Sequence, residues 1–341
     1  MNRFAFSRAK TVAEAAGAIT ASVADAMLAK PTADAGSIVA KAGGIDLMDL
    51  MKEGLLAPAA LVSLGAIPGL ADIAVLGDGG LRIGAIATLA QVAEDARVAQ
   101  HWPALSDAVR LSAGPEIRNV ATIGGNLLQR PRCWYFRSEA FHCLRKGGGH
   151  CFAIHGESQY HAIFDNQACA IVHPSTPATS LVALGARIEL VDGSGATRTP
   201  MLEAFLTLPD QDLQRENDLH PSEILTAILL PAPTAMTKMA HLRLSEKQAF
   251  DWPLADVTVV LEIDPQGLCR TASIVLGAAA PVPHRAKAAE ASLVGRRVDA
   301  AAAAAAGKAA LDGATPLLKN TYKLPMFEAL VGRAIAQAAA R

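Results

Sequence analysis

Two glycine pairs constrain this chain more than any other feature. Gly43-Gly44 in "GSIVAKAGGIDLMDLMK" and Gly124-Gly125 in "EIRNVATIGGNLLQ" each stand between a strand-like and a helix-like segment. Together with the alternation of helical and strand patterns, this favours an α/β or α+β class. Glycine lets successive backbone N–H groups point into one concavity, which suits a pyrophosphate. Neither turn has the G-x-G-x-x-G spacing of a dinucleotide fingerprint. The residues alone therefore leave two readings open, a nucleotide cofactor or a pair of tight loops.

The remaining pattern fills in the class. Thr11-Val12-Ala13-Glu14 reads as a capping box opening an alanine-rich helix, and Thr88-Leu89-Ala90-Gln91 as a second one. A strand is expected at about Ser37–Ala40, with a helix from about Asp46. "WPALSDAVRLSA" reads as an amphipathic helix, and Pro177 starts another through about Leu184. "ARIELVDGSGATRT" reads as a hairpin, and "SEILTAILLPAPT" as a strand stopped by prolines, a domain edge near Pro231–Thr234. "ADVTVVLEIDPQGLCRTASIVLGA" is an antiparallel pair turning at Asp-Pro-Gln-Gly. Helices are expected at about His284–Leu293, Val298–Leu311 and Pro325–Ala340.

Hydrophobic residues make up 51% of the 341, yet aromatics only 4%, so the core should be aliphatic and finely packed. The formal charge of −1 lacks the basic excess of a nucleic-acid footprint. "MNRFAFSRAK" has no apolar signal-peptide region, and no stretch reaches the roughly 20 apolar residues of a membrane span. The alanine run Asp299–Ala310 reads as helix. The expectation is a soluble chain, cytoplasmic unless a partner carries it elsewhere.

Cys133, Cys143, Cys151 and Cys169 are separated by 9, 7 and 17 residues, in a segment rich in arginine, histidine and aromatics. The absence of a C-x₂₋₄-C pair counts against zinc, and the absence of a signal peptide counts against disulfides. Core thiols would belong in apolar periodic segments, not among Arg130, Arg132, Arg137, Arg145 and Lys146. An iron–sulfur cluster takes four thiolates across wide loops and gains from nearby cations and N–H groups. Trp134, Tyr135 and Phe136 would then shield it, most of the surrounding histidines being surface or packing residues. Cys269 reads as a buried strand residue.

Four strings in this order, "AGGIDLMDLMK", "IGAIATLAQVAED", "EIRNVATIGGNLLQ" and "HPSTPATSLVALGARIEL", resemble the FAD-binding middle subunit of the molybdenum hydroxylases, the xanthine dehydrogenase, aldehyde oxidoreductase and carbon monoxide dehydrogenase family. The cysteine-bearing insertion resembles the subgroup that carries a [4Fe–4S] cluster beside FAD. This implies an α+β chain with two α/β FAD-binding subdomains of the PCMH/vanillyl-alcohol-oxidase type, residues 1–58 and 59–231. The cluster insertion would lie at about 130–170, and a smaller α+β C-terminal domain at 232–341.

By the resemblance, the first loop, Lys41, Ala42, Gly43, Gly44, Ile45, Asp46 and Leu47, would bind the FAD pyrophosphate. Thr122, Gly124, Gly125 and Asn126 would bind its other side, with Ser175 and Thr176 matching a family Ser-Asp pair. Cys133, Cys143, Cys151 and Cys169 match the cluster ligands. Two positions depart from the family: Ile45 stands where a threonine is usual, and Thr176 where an aspartate is. The implied role is electron transfer, with no catalytic residue in this chain. Electrons would come from a [2Fe–2S] small subunit, substrate would be turned over on a molybdenum-cofactor large subunit, and an external acceptor would be reduced. The resemblance implies a periplasmic aldehyde oxidoreductase, folded before export with a signal-bearing partner, or a cytoplasmic complex. A 4-hydroxybenzoyl-CoA reductase or xanthine dehydrogenase subunit is the near alternative. A Cys₄-zinc nucleotide-binding scaffold and a stand-alone NAD(P)H-flavin reductase are the alternatives of other classes.

Overall fold

In the computed structural model, which describes residues 2–28, 36–247 and 251–341, three sheets follow one another along the chain. The first joins β1 (Ala5–Arg8), β2 (Ile38–Lys41) and β3 (Ala60–Ser63) in parallel, in the order β1-β3-β2. Parallel neighbours need a crossover, and the helix Ile45–Lys52 supplies it, burying Leu47, Leu50 and Met51.

The second sheet is antiparallel, in the order β4-β5-β8-β6-β7. Its strands are β4 (Ile73–Val75), β5 (Leu81–Gly84), β6 (Arg187–Val191), β7 (Thr197–Arg198) and β8 (Ile224–Leu230). The helices Leu89–Glu94, Pro103–Arg110 and Thr176–Ala183 contribute to the same core. The Thr88–Gln91 capping box forms in both directions. At the N-terminus, Thr11 caps its helix as expected, but the Glu14 carboxylate accepts from the N–H of Lys10 rather than of Thr11. Trp102 is buried, and its indole N–H donates to the Pro231 carbonyl at 3.1 Å, tying this core to the end of β8.

The third sheet, β12-β11-β10-β9, is built from β9 (Thr237–Leu244), β10 (Ala255–Ile263), β11 (Cys269–Gly277) and β12 (His284–Arg285). The helices Lys287–Leu293, Ala300–Ala309 and Lys323–Ala340 share its core. Alanine makes this close packing practical, since small side chains let helix and sheet approach. Each fully buried larger residue, such as Phe327 or Leu293, still contributes roughly 1.5–3 kcal/mol. The helix expected from His284 begins at Lys287 instead. His284 and Arg285 pair with Leu276 and Val275, and this ladder holds them extended.

A buried polar contact joins the second and third cores. Ser180 Oγ lies 2.8 Å from Thr258 Oγ1 and donates to the Ala104 carbonyl, and His241 Nδ1 lies 2.9 Å from the same threonine. Cys269 is fully buried at the start of β11. The overall expectation of a mixed α/β region followed by an α+β C-terminal region holds.

Candidate functional site: a two-loop cleft beside a four-cysteine cavity

The cleft begins where β2 ends. The chain turns through Ala42 and Gly43, takes a left-handed conformation at Gly44 (φ 86°), and enters the Ile45–Lys52 helix. The turn is pressed against the second glycine loop: a Cβ on Gly43 would lie 2.2 Å from the Val120 carbonyl oxygen. The second loop is in turn pressed against the end of β5, where a Cβ on Gly124 would lie 2.8 Å from both Ala85 Cβ and its carbonyl oxygen. Thr122 opens this loop by accepting from the Gly125 N–H at 3.1 Å. Both loops therefore meet backbone to backbone, at the edge of one cleft of about 330 Å³.

Lys41, Ala42, Gly43, Gly44, Ile45, Asp46 and Leu47 all line this cleft, as do Thr122, Gly124, Gly125 and Asn126. No side chain caps the Ile45–Lys52 helix. The N–H groups of its first turn are left for a ligand, at the helix end that favours an anion. Ser175 sits one layer behind: its Oγ donates to Asn126 Oδ1 at 2.6 Å and accepts from the Ala178 N–H, capping the next helix. Thr176 is a buried residue of that helix's first turn and does not line the cleft. Ile45 adds apolar wall where a hydroxyl would have offered one more donor.

The far wall comes from segments with no local signature. Leu219, His220, Pro221 and Ile224 of the stretch entering β8, with Ile19 and Ala21 from near the N-terminus, also line the cleft. Arg130, Arg132, Glu216 and Trp252 complete it. Arg132 bridges Asp46 at 3.0 Å and Asp49 at 3.2 Å, and its guanidinium lies 5.0 Å from the half-exposed Trp252 ring. Asp46 also accepts from the Arg130 N–H at 2.8 Å and from Arg137 at 2.5 Å. One carboxylate in the first turn thus ties the glycine loop to the start of the cysteine segment. Its negative charge is matched by the arginines around it rather than turned against a bound anion.

Immediately behind this wall, Cys133, Cys143, Cys151 and Cys169 line one small cavity, with Tyr135, Phe136, Arg145, Phe152 and His161. All four are free thiols. The local turns explain how widely spaced cysteines meet. Cys143 precedes a single 3₁₀ turn, Leu144–Lys146, which the chain leaves at Gly147 in a left-handed conformation (φ 88°). A Cβ on Gly148 would sit within 2 Å of the His142 carbonyl, so no other residue fits there. Cys151 precedes the turn Phe152–His155. Trp134 does not line the cavity but packs edge-on against Tyr135, Tyr160 and His161, forming an outer aromatic layer.

The thiols are electrostatically unequal. The neighbouring Cys169 thiol holds Cys151 down at about 5, while the same contact and burial raise Cys169. Burial pushes Cys133 up to about 11. His161 Nε2 lies 3.2 Å from Cys133 Sγ. Of the histidines in this segment, His142, His150 and His155 are exposed, whereas His161 and His173 are buried.

The C-terminal region holds this segment from outside. Asn320 Nδ2 donates to the His161 and Ala162 carbonyls at 3.0 and 3.1 Å, and Tyr322 OH to that of Gln159 at 2.8 Å. Lys323, fully buried, donates to the carbonyls of His161 and Ala278.

Residues 2–233 match the family described as "FAD binding domain in molybdopterin dehydrogenase", and residues 240–338 match "CO dehydrogenase flavoprotein C-terminal domain". The chain belongs to the FAD-binding subunits of the molybdenum hydroxylases. It is 32% identical over 302 residues to the aldehyde oxidoreductase FAD-binding subunit PaoB of Escherichia coli K12, covering 88% of this chain and 91% of that one. It is 29% identical to the carbon monoxide dehydrogenase medium chain of Afipia carboxidovorans, covering 99% of this chain and 97% of that one. The structure superposes on a reconstituted CO dehydrogenase from Oligotropha carboxidovorans with a TM-score of 0.75 and 25% identity, covering 100% of this chain and 99% of that one.

This molybdenum-hydroxylase subunit is part of an oxidoreductase, and its cleft fits the flavin cofactor. Glycines at the two loop contacts let the backbones meet with no Cβ between them, which shapes the cleft edge, and the uncapped helix offers N–H groups. The cysteine cavity offers four thiol donors and no carboxylate, with Arg145 in the same lining. Its free volume is small, about 10 Å³. Among the described residues, no three His, Cys, Asp or Glu side chains converge on a single-ion site.

Proposed function

We propose that this subunit is the electron-transfer component of a molybdenum-dependent aldehyde oxidoreductase, holding FAD in the two-loop cleft and a [4Fe–4S] cluster on Cys133, Cys143, Cys151 and Cys169. The observation that carries this reading is the placement of four thiols round one cavity, joined to the cleft lining by the Arg145–Glu216 ion pair. The likeness to an aldehyde oxidoreductase FAD-binding subunit over nine-tenths of that protein favours the aldehyde class over the xanthine one. The partners in this reading are a large subunit with the molybdenum cofactor, where substrate reacts, and a small subunit with [2Fe–2S] centres that supplies the electrons.

Bound flavin would store two electrons, delivered singly by iron–sulfur centres, for an external acceptor, and the cluster would add one-electron capacity. What the chain itself does is bind and orient. The free N–H groups of the first helical turn would hold the pyrophosphate, Ser175 fixes Asn126 at the cleft, and Arg132 with Trp252 borders the cleft. The aromatic layer of Trp134, Tyr135 and Tyr160 keeps water off the thiols. No proton-transferring residue is required, because substrate chemistry takes place on another chain.

The test is cofactor analysis of the full chain purified without oxygen. Flavin absorbance with about four irons and matching sulfide per chain is expected. About one zinc per chain without iron would refute the cluster, and iron without flavin would refute the FAD assignment.

A further inference from the structure

Between the cleft and the cysteine cavity lies a buried ionic trio that neither cofactor site alone explains. Glu216 receives Arg145 Nη1 at 2.5 Å on one carboxylate oxygen and faces Arg130 Nη1 at 3.3 Å with the other. All three residues are at most 5% exposed. Arg130 and Glu216 line the flavin cleft, whereas Arg145 lines the cavity of the four thiols. The Arg130 guanidinium also packs 5.1 Å from the ring of Phe136, which lines that same cavity.

The charges do not balance within the trio. Two guanidinium groups face one carboxylate, and Nε and Nη2 of Arg145, like Nε and Nη1 of Arg130, have no hydrogen-bond partner. A buried, half-partnered cation is unfavourable unless an anion completes it. The nearest candidates are the four cysteines that line the same cavity as Arg145, which are anionic thiolates when they hold a cluster.

Building on the cluster reading above, we propose that the Arg130–Glu216–Arg145 trio is a charge bridge between the two cofactor sites. Arg145 is the positioning cation of the thiolate cage, and Glu216 sets how much of its charge the cage feels. Adding an electron to the cage makes it more negative, so a nearby cation favours the reduced form and a nearby carboxylate opposes it. Removing Arg145's charge and removing Glu216's charge must therefore shift the reduction equilibrium in opposite directions. General damage to the loop would not produce opposite signs.

The experiment compares the full chain with Arg145→Gln, Arg145→Lys and Glu216→Gln, each purified without oxygen. Iron, sulfide and flavin are counted, and the cluster is titrated with reductant while its paramagnetic signal is followed. Arg145→Gln should weaken reduction at least tenfold, a fall of about 59 mV for a one-electron couple, and Arg145→Lys should recover part of it. Glu216→Gln should shift the potential upward. If Arg145→Gln loses its iron, the Glu216→Gln potential decides alone: a rise supports the bridge, and no change or a fall overturns it. Unchanged potentials in both iron-loaded variants, or shifts of the same sign, overturn the bridge and leave the cluster reading intact. A wild-type chain without iron and sulfide overturns both.

Discussion

Replacing Gly43 with alanine tests whether contact between the two glycine loops shapes the flavin cleft. The added Cβ would lie 2.2 Å from the Val120 carbonyl oxygen and 3.2 Å from Ala121 Cα, both backbone atoms that cannot swing aside like a side-chain tip. One loop must retreat from the other, and Val120 leads directly into the Thr122–Asn126 turn. Overpacking of this kind typically costs about 1–3 kcal/mol. If the strain is relieved by opening the loops, that energy is lost from cofactor binding. With tenfold in affinity per 1.4 kcal/mol, flavin binding should weaken roughly 5- to 150-fold. The assay is fluorescence titration of deflavinated full chain with FAD, alongside thermal unfolding. Gly17→Ala is the matched control. It lies in the helix Val12–Ala18 with nothing within 4 Å of its Cβ, so it should leave binding unchanged and stabilise by roughly 0.5–1 kcal/mol. A Gly43→Ala chain that folds and binds FAD like wild type would refute the argument, since the cleft would then not depend on how closely the loops meet.

Other perturbations read other layers. Ser175→Ala removes both the hydrogen bond that fixes Asn126 and a helix N-cap; it should destabilise by about 0.5–2 kcal/mol in denaturant unfolding and weaken FAD binding several-fold. Cys143→Ser should eliminate iron and sulfide from the purified chain, while Cys269→Ala, in the third core, should leave both unchanged in the same metal analysis. Burial holds His173 at about 4 and His241 at about 3, below the ordinary 6.5, and both ring Nδ1 atoms have hydrogen-bonding neighbours. The unfolded chain then binds more protons between pH 6.5 and 4. Stability from these two groups is present above 6.5 and falls with acid, each contributing a slope of up to about 1.4 kcal/mol per pH unit inside that window. Urea midpoints that stay flat from pH 7 to pH 5 would contradict this.

The features that could be read from the sequence were those carried by local chemistry. The glycine pairs, the Thr88 capping box, the Asp-Pro-Gln-Gly turn and the apolar strands each specify a few neighbouring backbone angles, and they form close to where the pattern puts them. Ser175 and Asn126 meet at 2.6 Å because each opens or follows a turn with a recognisable sequence. The far side of the cleft had no such signal. Glu216 lies in an irregular stretch 71 residues from the arginine it binds, and nothing in its neighbours' periodicity marks it. Trp252 lies in the connection between β9 and β10, and its place over Arg132 depends on how the third sheet docks. His284 and Arg285 sit where a helical pattern continues, yet pairing with β11 outweighs propensity there. The four cysteines crowd one segment of the sequence, which points to a shared site, and they line a single cavity.

The bonds from Asn320, Tyr322 and Lys323 to the cysteine segment have a consequence for how the subunit is made. A ribosome emits the cysteine segment some 150 residues before the side chains that clasp it, so for much of synthesis the thiols lie in a loop whose outer latch does not yet exist. Lys323 then enters the interior and spans the cysteine segment and the turn after β11 with one ammonium group. Any maturation machinery that delivers metal would meet its most accessible target before that latch closes.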